Sequence, residues 1–143
     1  MDHDKFITIV REQGGLPDGA RAEACAQTAL ETLGARLNGG TADALAAHLP
    51  EPEAAALRRR IGTSGDEGAS GGMEDLATTF GGRAGLDTIE AASVLQATIR
   101  AVTEAVEDRE QLERVRAQLP PDLATLFGST EERSDSYRSA SGG

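Results

Sequence analysis

Two stretches of this chain carry the same apolar spacing, and that spacing constrains the fold more than any other feature. Ala26, Leu30, Leu33 and Leu37 stand 4, 3 and 4 residues apart, and Leu95, Ile99, Val102 and Val106 repeat those intervals. At 3.6 residues per turn each set forms one stripe along a helix, and a stripe must be covered by another element to leave water. The expected outcome is two long helices whose stripes meet in a shared core. Composition agrees: 38% of the residues are hydrophobic but only 3% are aromatic, so the core rests largely on Ala, Leu, Val and Ile, which suits closely packed helices better than sheets. The expected fold class is all-α.

The likeness between the halves extends beyond the stripes. At a separation of 70, Phe6 falls on Leu76, Val10 on Phe80, and Gly15-Leu16 on Gly85-Leu86. One extra residue, Pro17, shifts the separation to 69, and Asp18 then falls on Asp87, Ala22 on Ala91, Cys25 on Val94 and Gln27 on Gln96. A one-residue difference in the next turn restores 70, so that Leu49-Pro50 meets Leu119-Pro120. Both gaps fall in turns, as insertions within a repeated unit should. Each half reads as a helix, a long helix, a short helix and a final short helix. The predicted arrangement is two tandem helical repeats of about four helices each, packed in one bundle-like domain: repeat one over 1–61 and repeat two over 73–127. The Gly/Ser-rich stretches 62–72 and 128–143 bury almost nothing apolar and are expected to be a flexible linker and a disordered tail.

Local signals set the expected boundaries. Asp87 with Glu90 has the form of a capping box, and Asp108 with Gln111 resembles another, each carboxylate accepting from an orphan amide at a helix start. Helix starts are expected near 18, 41, 87 and 108. Leu49-Pro50 and Leu119-Pro120 read as corners, because proline disfavours helical geometry in the preceding residue and suits the first turn of the next helix.

Several blocks also resemble a known family. The opening Met1-Asp2-His3-Asp4-Lys5-Phe6, the block Thr28-Ala29-Leu30-Glu31-Thr32-Leu33-Gly34-Ala35-Arg36-Leu37-Asn38-Gly39-Gly40, the segment Leu45-Ala46-Ala47-His48-Leu49-Pro50 and the string Val115-Arg116-Ala117-Gln118-Leu119-Pro120 are similar to the bacterial and archaeal family catalogued as domain of unknown function 2267. The resemblance covers about residues 1–127. It implies an all-helical, duplicated fold and brings no activity, cofactor or catalytic residue with it. The chain departs from the family pattern where the second repeat starts: Leu76 replaces an aromatic, and Gly81-Gly82 interrupt a helical stretch. A short or bent helix is expected there.

The chemistry-bearing residues are few. Cys25 is the only cysteine, which excludes an intrachain disulfide and a multi-cysteine metal site and fits a reducing cytoplasm. Cys25 and His48 are the candidates for a thiol–imidazole pair, yet they fall on Val94 and Gln118 of the other half and read as a core position and an ordinary polar one. Asp2, His3 and Asp4 have no ligand-spaced partner, and no metal or cofactor is expected. Arg58-Arg59-Arg60 is the one basic cluster. It is expected to sit at a helix C-terminus, where cations are favoured, on the same helix as Glu51 and Glu53. The Gly-rich linker lacks a phosphate-loop signature. No catalytic residue is assigned, and the chain is not expected to be an enzyme.

Charge bounds the partners. With 24 acidic and 14 basic residues the chain carries a formal charge of −10, which opposes a generic grip on nucleic acid or anionic lipid. No segment approaches the ~20 apolar residues of a membrane span, and the N-terminus is too acidic for a signal peptide. The expectation is a soluble cytoplasmic module that binds a protein partner or its own copy. A helix-turn-helix-like DNA regulator, using Arg109, Arg114 and Arg116 on one helix, is the alternative.

Overall fold

A computed structural model describes residues 1–37, 39–59, 72–106, 108–119, 122 and 124. Among these residues the chain forms seven helices and no strand: α1 (His3–Gly14), α2 (Gly19–Gly34), α3 (Gly39–Ala46), α4 (Glu51–Arg58), α5 (Met73–Ala84), α6 (Thr88–Ala105) and α7 (Arg109–Ala117). The all-α class is as expected. The linker, apart from Gly72, and the tail lie outside the described residues, as do Pro120 and most of the fourth helix expected after it.

Short-range chemistry sets most helix ends. Asp2, Asp18 and Asp87 each stand in extended geometry before a helix and accept the amide of the third residue on, at 2.8 Å from Lys5, Arg21 and Glu90. Glu90 reaches back to the Asp87 amide at 3.4 Å, which completes the capping box. At Asp108 the side chain takes the Glu110 amide instead, and Gln111 reaches only the Asp108 backbone carbonyl. The second expected box is therefore an ordinary aspartate cap. It begins α7 where expected, while α3 starts two residues before the expected 41. Helices α1 and α5 end alike, at Gly15 and Gly85, whose φ of 70° and 75° lies in the left-handed region that glycine adopts without a Cβ clash.

Helix α5 is not shortened at Gly81-Gly82: it runs through them for twelve residues, the same length as α1. The reason is a close approach. A Cβ at position 81 would stand 2.8 Å from the Leu86 carbonyl and 3.1 Å from the Ala91 methyl, so glycine lets the following turn fold back on the helix. The propensity penalty of about 1 kcal/mol per glycine is offset by that packing.

The two halves interlock. Helix α1 packs most extensively on α6, α5 packs on both α6 and α2, and α2 packs on α4, while α3 touches α4 and α7. All eight stripe residues, Ala26 through Leu37 and Leu95 through Val106, are buried in one core cluster drawn from both halves, together with Phe6 and Phe80. Where α2 meets α4, Gly34 lies so close to the Leu57 carbonyl that a Cβ would stand 2.1 Å from it.

Candidate functional site

Two clusters of polar side chains and one open groove stand out, and both clusters bring together residues far apart in sequence. The first joins α1, α2 and α4. His3, in the first turn of α1, donates from Nδ1 to Glu53 Oε1 at 2.5 Å and from Nε2 to Glu23 Oε1 at 2.7 Å. Glu53 is fully buried, and its second oxygen accepts no hydrogen bond from any described residue. Burial pushes the Glu53 carboxyl above its ordinary value of 4.5 despite the downward pull of His3. Burial also opposes charge on His3, but the bonds to Glu23 and Glu53 outweigh it and hold the imidazole above its ordinary 6.5. The ring thus bridges two carboxyl groups, and in its protonated form both nitrogens donate.

Neither Glu23 nor Glu53 figured among the candidate residues, and Glu53 was expected to serve the basic cluster on its own helix. It turns inward instead. One signal was available: Glu53, Ala56 and Leu57 lie three and four residues apart and share the buried face of α4, so Glu53 is a carboxylate on an apolar stripe. His3 does not join Asp2 and Asp4, since Asp2 caps α1. Among the described residues no group of three His, Cys, Asp or Glu side chains is placed to hold a metal ion.

The second cluster ties the halves together around Glu31 of α2. Arg83 of α5 donates to Glu31 at 2.6 Å and to the Thr32 hydroxyl at 3.1 Å, and Arg59 donates to the other Glu31 oxygen. Burial would raise Glu31, but its bonds with Arg83 and Arg59 outweigh that and lower its pKa below 4.5. Arg36, its side chain only 4% exposed, reaches Asp75 of α5 at 2.9 Å, and Gln118 donates to Thr41. Of the basic cluster, Arg58 pairs with Asp43 at 2.7 Å and Arg59 with Glu31, so their acidic partners come from α3 and α2 rather than from α4 itself. Arg60 is outside the described residues. On α7, Arg116 pairs with Glu113 at 3.2 Å.

Cys25 is buried on α2, and burial pushes its thiol above the ordinary value against a weaker downward effect of Arg21. His48 is half-buried in the turn after α3. No hydrogen bond joins the two among the described residues.

The third place is an open groove of about 530 Å³ between α5 and α6. Ala77 and Ala92 are among its lining residues, with the larger Met73 and Ile89, and Thr88, Ser93 and Gln96 add neutral polar atoms. Among the described lining residues the charged ones are Glu74 and Asp122, both acidic; Asp122 accepts the Met73 amide at 2.8 Å and so caps α5. Ile89 is 82% exposed, against 39% for Met1. No described helix is long and apolar enough to cross a membrane.

Neither a curated protein nor a solved structure matches this chain. One family does, over residues 3–126, which include all seven helices, the His3 clamp and the groove. The chain belongs to the family described as "Uncharacterized conserved protein (DUF2267)".

Proposed function

We propose that this chain is a non-catalytic protein-binding module assembled from two copies of one helical unit, and that its binding face is the groove between α5 and α6. The single observation that carries the reading is Ile89, a large aliphatic side chain left 82% exposed beside an open groove. The buried, upshifted thiol of Cys25 supports a binding role over a nucleophilic one.

The sequence register explains why the groove belongs to one half. With α1 placed on α5 at a separation of 70 and α2 on α6 at 69, Met73, Ala77, Ile89 and Ala92 fall on His3, Ile7, Ala20 and Glu23. In the first half the His3–Glu23 bond joins α1 and α2 at the corresponding positions. In the second, Ala92 stands in for Glu23 and Ala77 for Ile7, which removes bulk, while Ile89 in place of Ala20 adds apolar surface. The first unit carries a charged bridge at these positions, and the second an open, largely apolar groove. The matched Asp18 and Asp87 caps, the Gly15 and Gly85 turns and the equal lengths of α1 and α5 support the duplication.

The test is affinity capture from source cells with the full chain and with Ile89→Ser, alongside sedimentation velocity of each alone. The exposed position predicts unchanged folding and a capture profile stripped of its specific proteins. An identical profile from both proteins would remove the groove as the binding face.

A further inference from the structure

From the groove's charge we infer the chemistry of its occupant: an amphipathic helix that inserts aliphatic side chains between α5 and α6 and carries Lys or Arg on its flanks. This rests on the reading of the groove as a protein-binding face and adds what it selects. The shape argues for side-chain insertion, since the lining combines small Ala77 and Ala92 with the larger Met73 and Ile89, and 530 Å³ is the scale of a small-molecule or anchor-residue site. A crevice between two neighbouring helices accepts a third helix that presents anchors at i, i+3 or i+4, and i+7. The charge argues for a cationic occupant. Among the described lining residues the charged ones are Glu74 and Asp122, both acidic, and the chain as a whole carries −10; neighbouring Asp75 is paired with Arg36 and adds nothing to this rim. A second copy would bring its own acidic groove against this one, and like charges across an interface oppose association. A basic rim meets complementary potential and gains in encounter rate as well as affinity.

The experiment uses the full chain and three synthetic helical peptides of one length. The first carries four leucines at helical spacing with lysine flanks, the second keeps the leucines with glutamate flanks, and the third keeps the lysines with serines in place of the leucines. Fluorescence anisotropy is expected to show binding of the first alone. Ile89→Ser should weaken it by about ten- to a hundredfold, the value of one buried aliphatic anchor. Glu74→Gln should weaken it less and flatten its decline with added salt, because one of the attracting charges is gone. Methyl chemical shifts of Ile89 should move on titration with the first peptide. Equal binding of the third peptide would reduce the effect to nonspecific attraction by an acidic protein and overturn the inference. Binding of the glutamate-flanked peptide as tightly as the lysine-flanked one would overturn the charge selection, and a concentration-dependent dimer abolished by Ile89→Ser would replace the cationic helix with a second copy. If Ile89→Ser strips the cellular capture profile while the peptides show no charge preference, this inference fails and the binding face stands. If the capture profile is unmoved, both fail.

Discussion

Replacing His3 by methionine should destabilise the chain more than replacing Glu53 by leucine, and doing both should restore most of the loss. The reasoning starts from burial. Glu53 is 0% exposed, its Oε1 is held by His3 at 2.5 Å, and its Oε2 accepts from no described residue. Taking His3 away leaves a buried carboxyl with no side-chain donor, and breaking a buried pair from one side costs about 3–5 kcal/mol. Because the His3 side chain is itself 30% exposed, water reaches part of the vacated space and the cost should fall to about 2–3 kcal/mol. Glu53→Leu removes the buried carboxyl group and leaves His3 bonded to the half-exposed Glu23, so it should lie within about 1 kcal/mol of wild type. The double variant carries Met and Leu, the residues found at positions 73 and 123 of the other half, and should match Glu53→Leu. The coupling between the sites is then about 2 kcal/mol, well beyond the few tenths expected of independent positions. Urea unfolding followed by circular dichroism at 222 nm measures all four proteins. A silent His3→Met, or single costs that add in the double variant, would show that Glu53 does not depend on His3.

The same cluster predicts a pH dependence. His3 is raised above 6.5, so its contribution is full below the unfolded pKa and is lost as pH rises through the higher folded value; Glu53 is raised above 4.5, and the native state likewise binds its proton more tightly, so stability falls as pH climbs from near 4.5. Urea midpoints of wild type should decline between about pH 5 and 8 relative to the His3→Met, Glu53→Leu double variant, and parallel profiles would count against the clamp. Acid acts oppositely at Glu31, whose lowered pKa gives stability above 4.5 that is lost as pH falls through the folded value; Glu31→Gln should flatten that acid limb. Gly34→Ala should cost about 3 kcal/mol or more, since a Cβ 2.1 Å from the Leu57 carbonyl forces α4 off α2, and a thermal midpoint unchanged within a degree or two would disprove the crossing. Cys25→Ala should cost about 1–2 kcal/mol through lost packing, and the native thiol should react with a disulfide reagent only in denaturant; rapid labelling of the folded protein would contradict its burial.

Much of this protein was legible before any coordinates because the relevant chemistry is local. A stripe at intervals of 4, 3 and 4 has one solution on a helix, and all eight stripe residues are buried as that solution requires. Asp18 and Asp87 cap because an aspartate before a helix finds the amide three residues on without help from the rest of the chain. Where two local partners competed, as at Asp108, the pattern alone did not say which amide would be taken, and the carboxylate chose Glu110. The Gly81-Gly82 interruption misled for the complementary reason: helix propensity is weak beside the contact of a packed turn, and only the folded chain puts Leu86 and Ala91 against Gly81.

What the tertiary structure alone decided is the long-range polar pairing and the shape of the groove. His3 meets Glu23 and Glu53 across separations of 20 and 50 residues, and Glu31 meets Arg59 and Arg83 across 28 and 52. No spacing rule links such residues, because their proximity depends on which helix faces which, and helix faces are matched by the whole core rather than by any one segment. The chain's sequence marks Glu53 as a carboxylate on an apolar stripe, but its partner had to come from the packing of α1 on α4. The groove is of the same kind: Ala77, Ile89 and Ala92 read as ordinary helix residues until α5 and α6 are brought side by side, since a concavity is a property of two surfaces and belongs to neither helix alone.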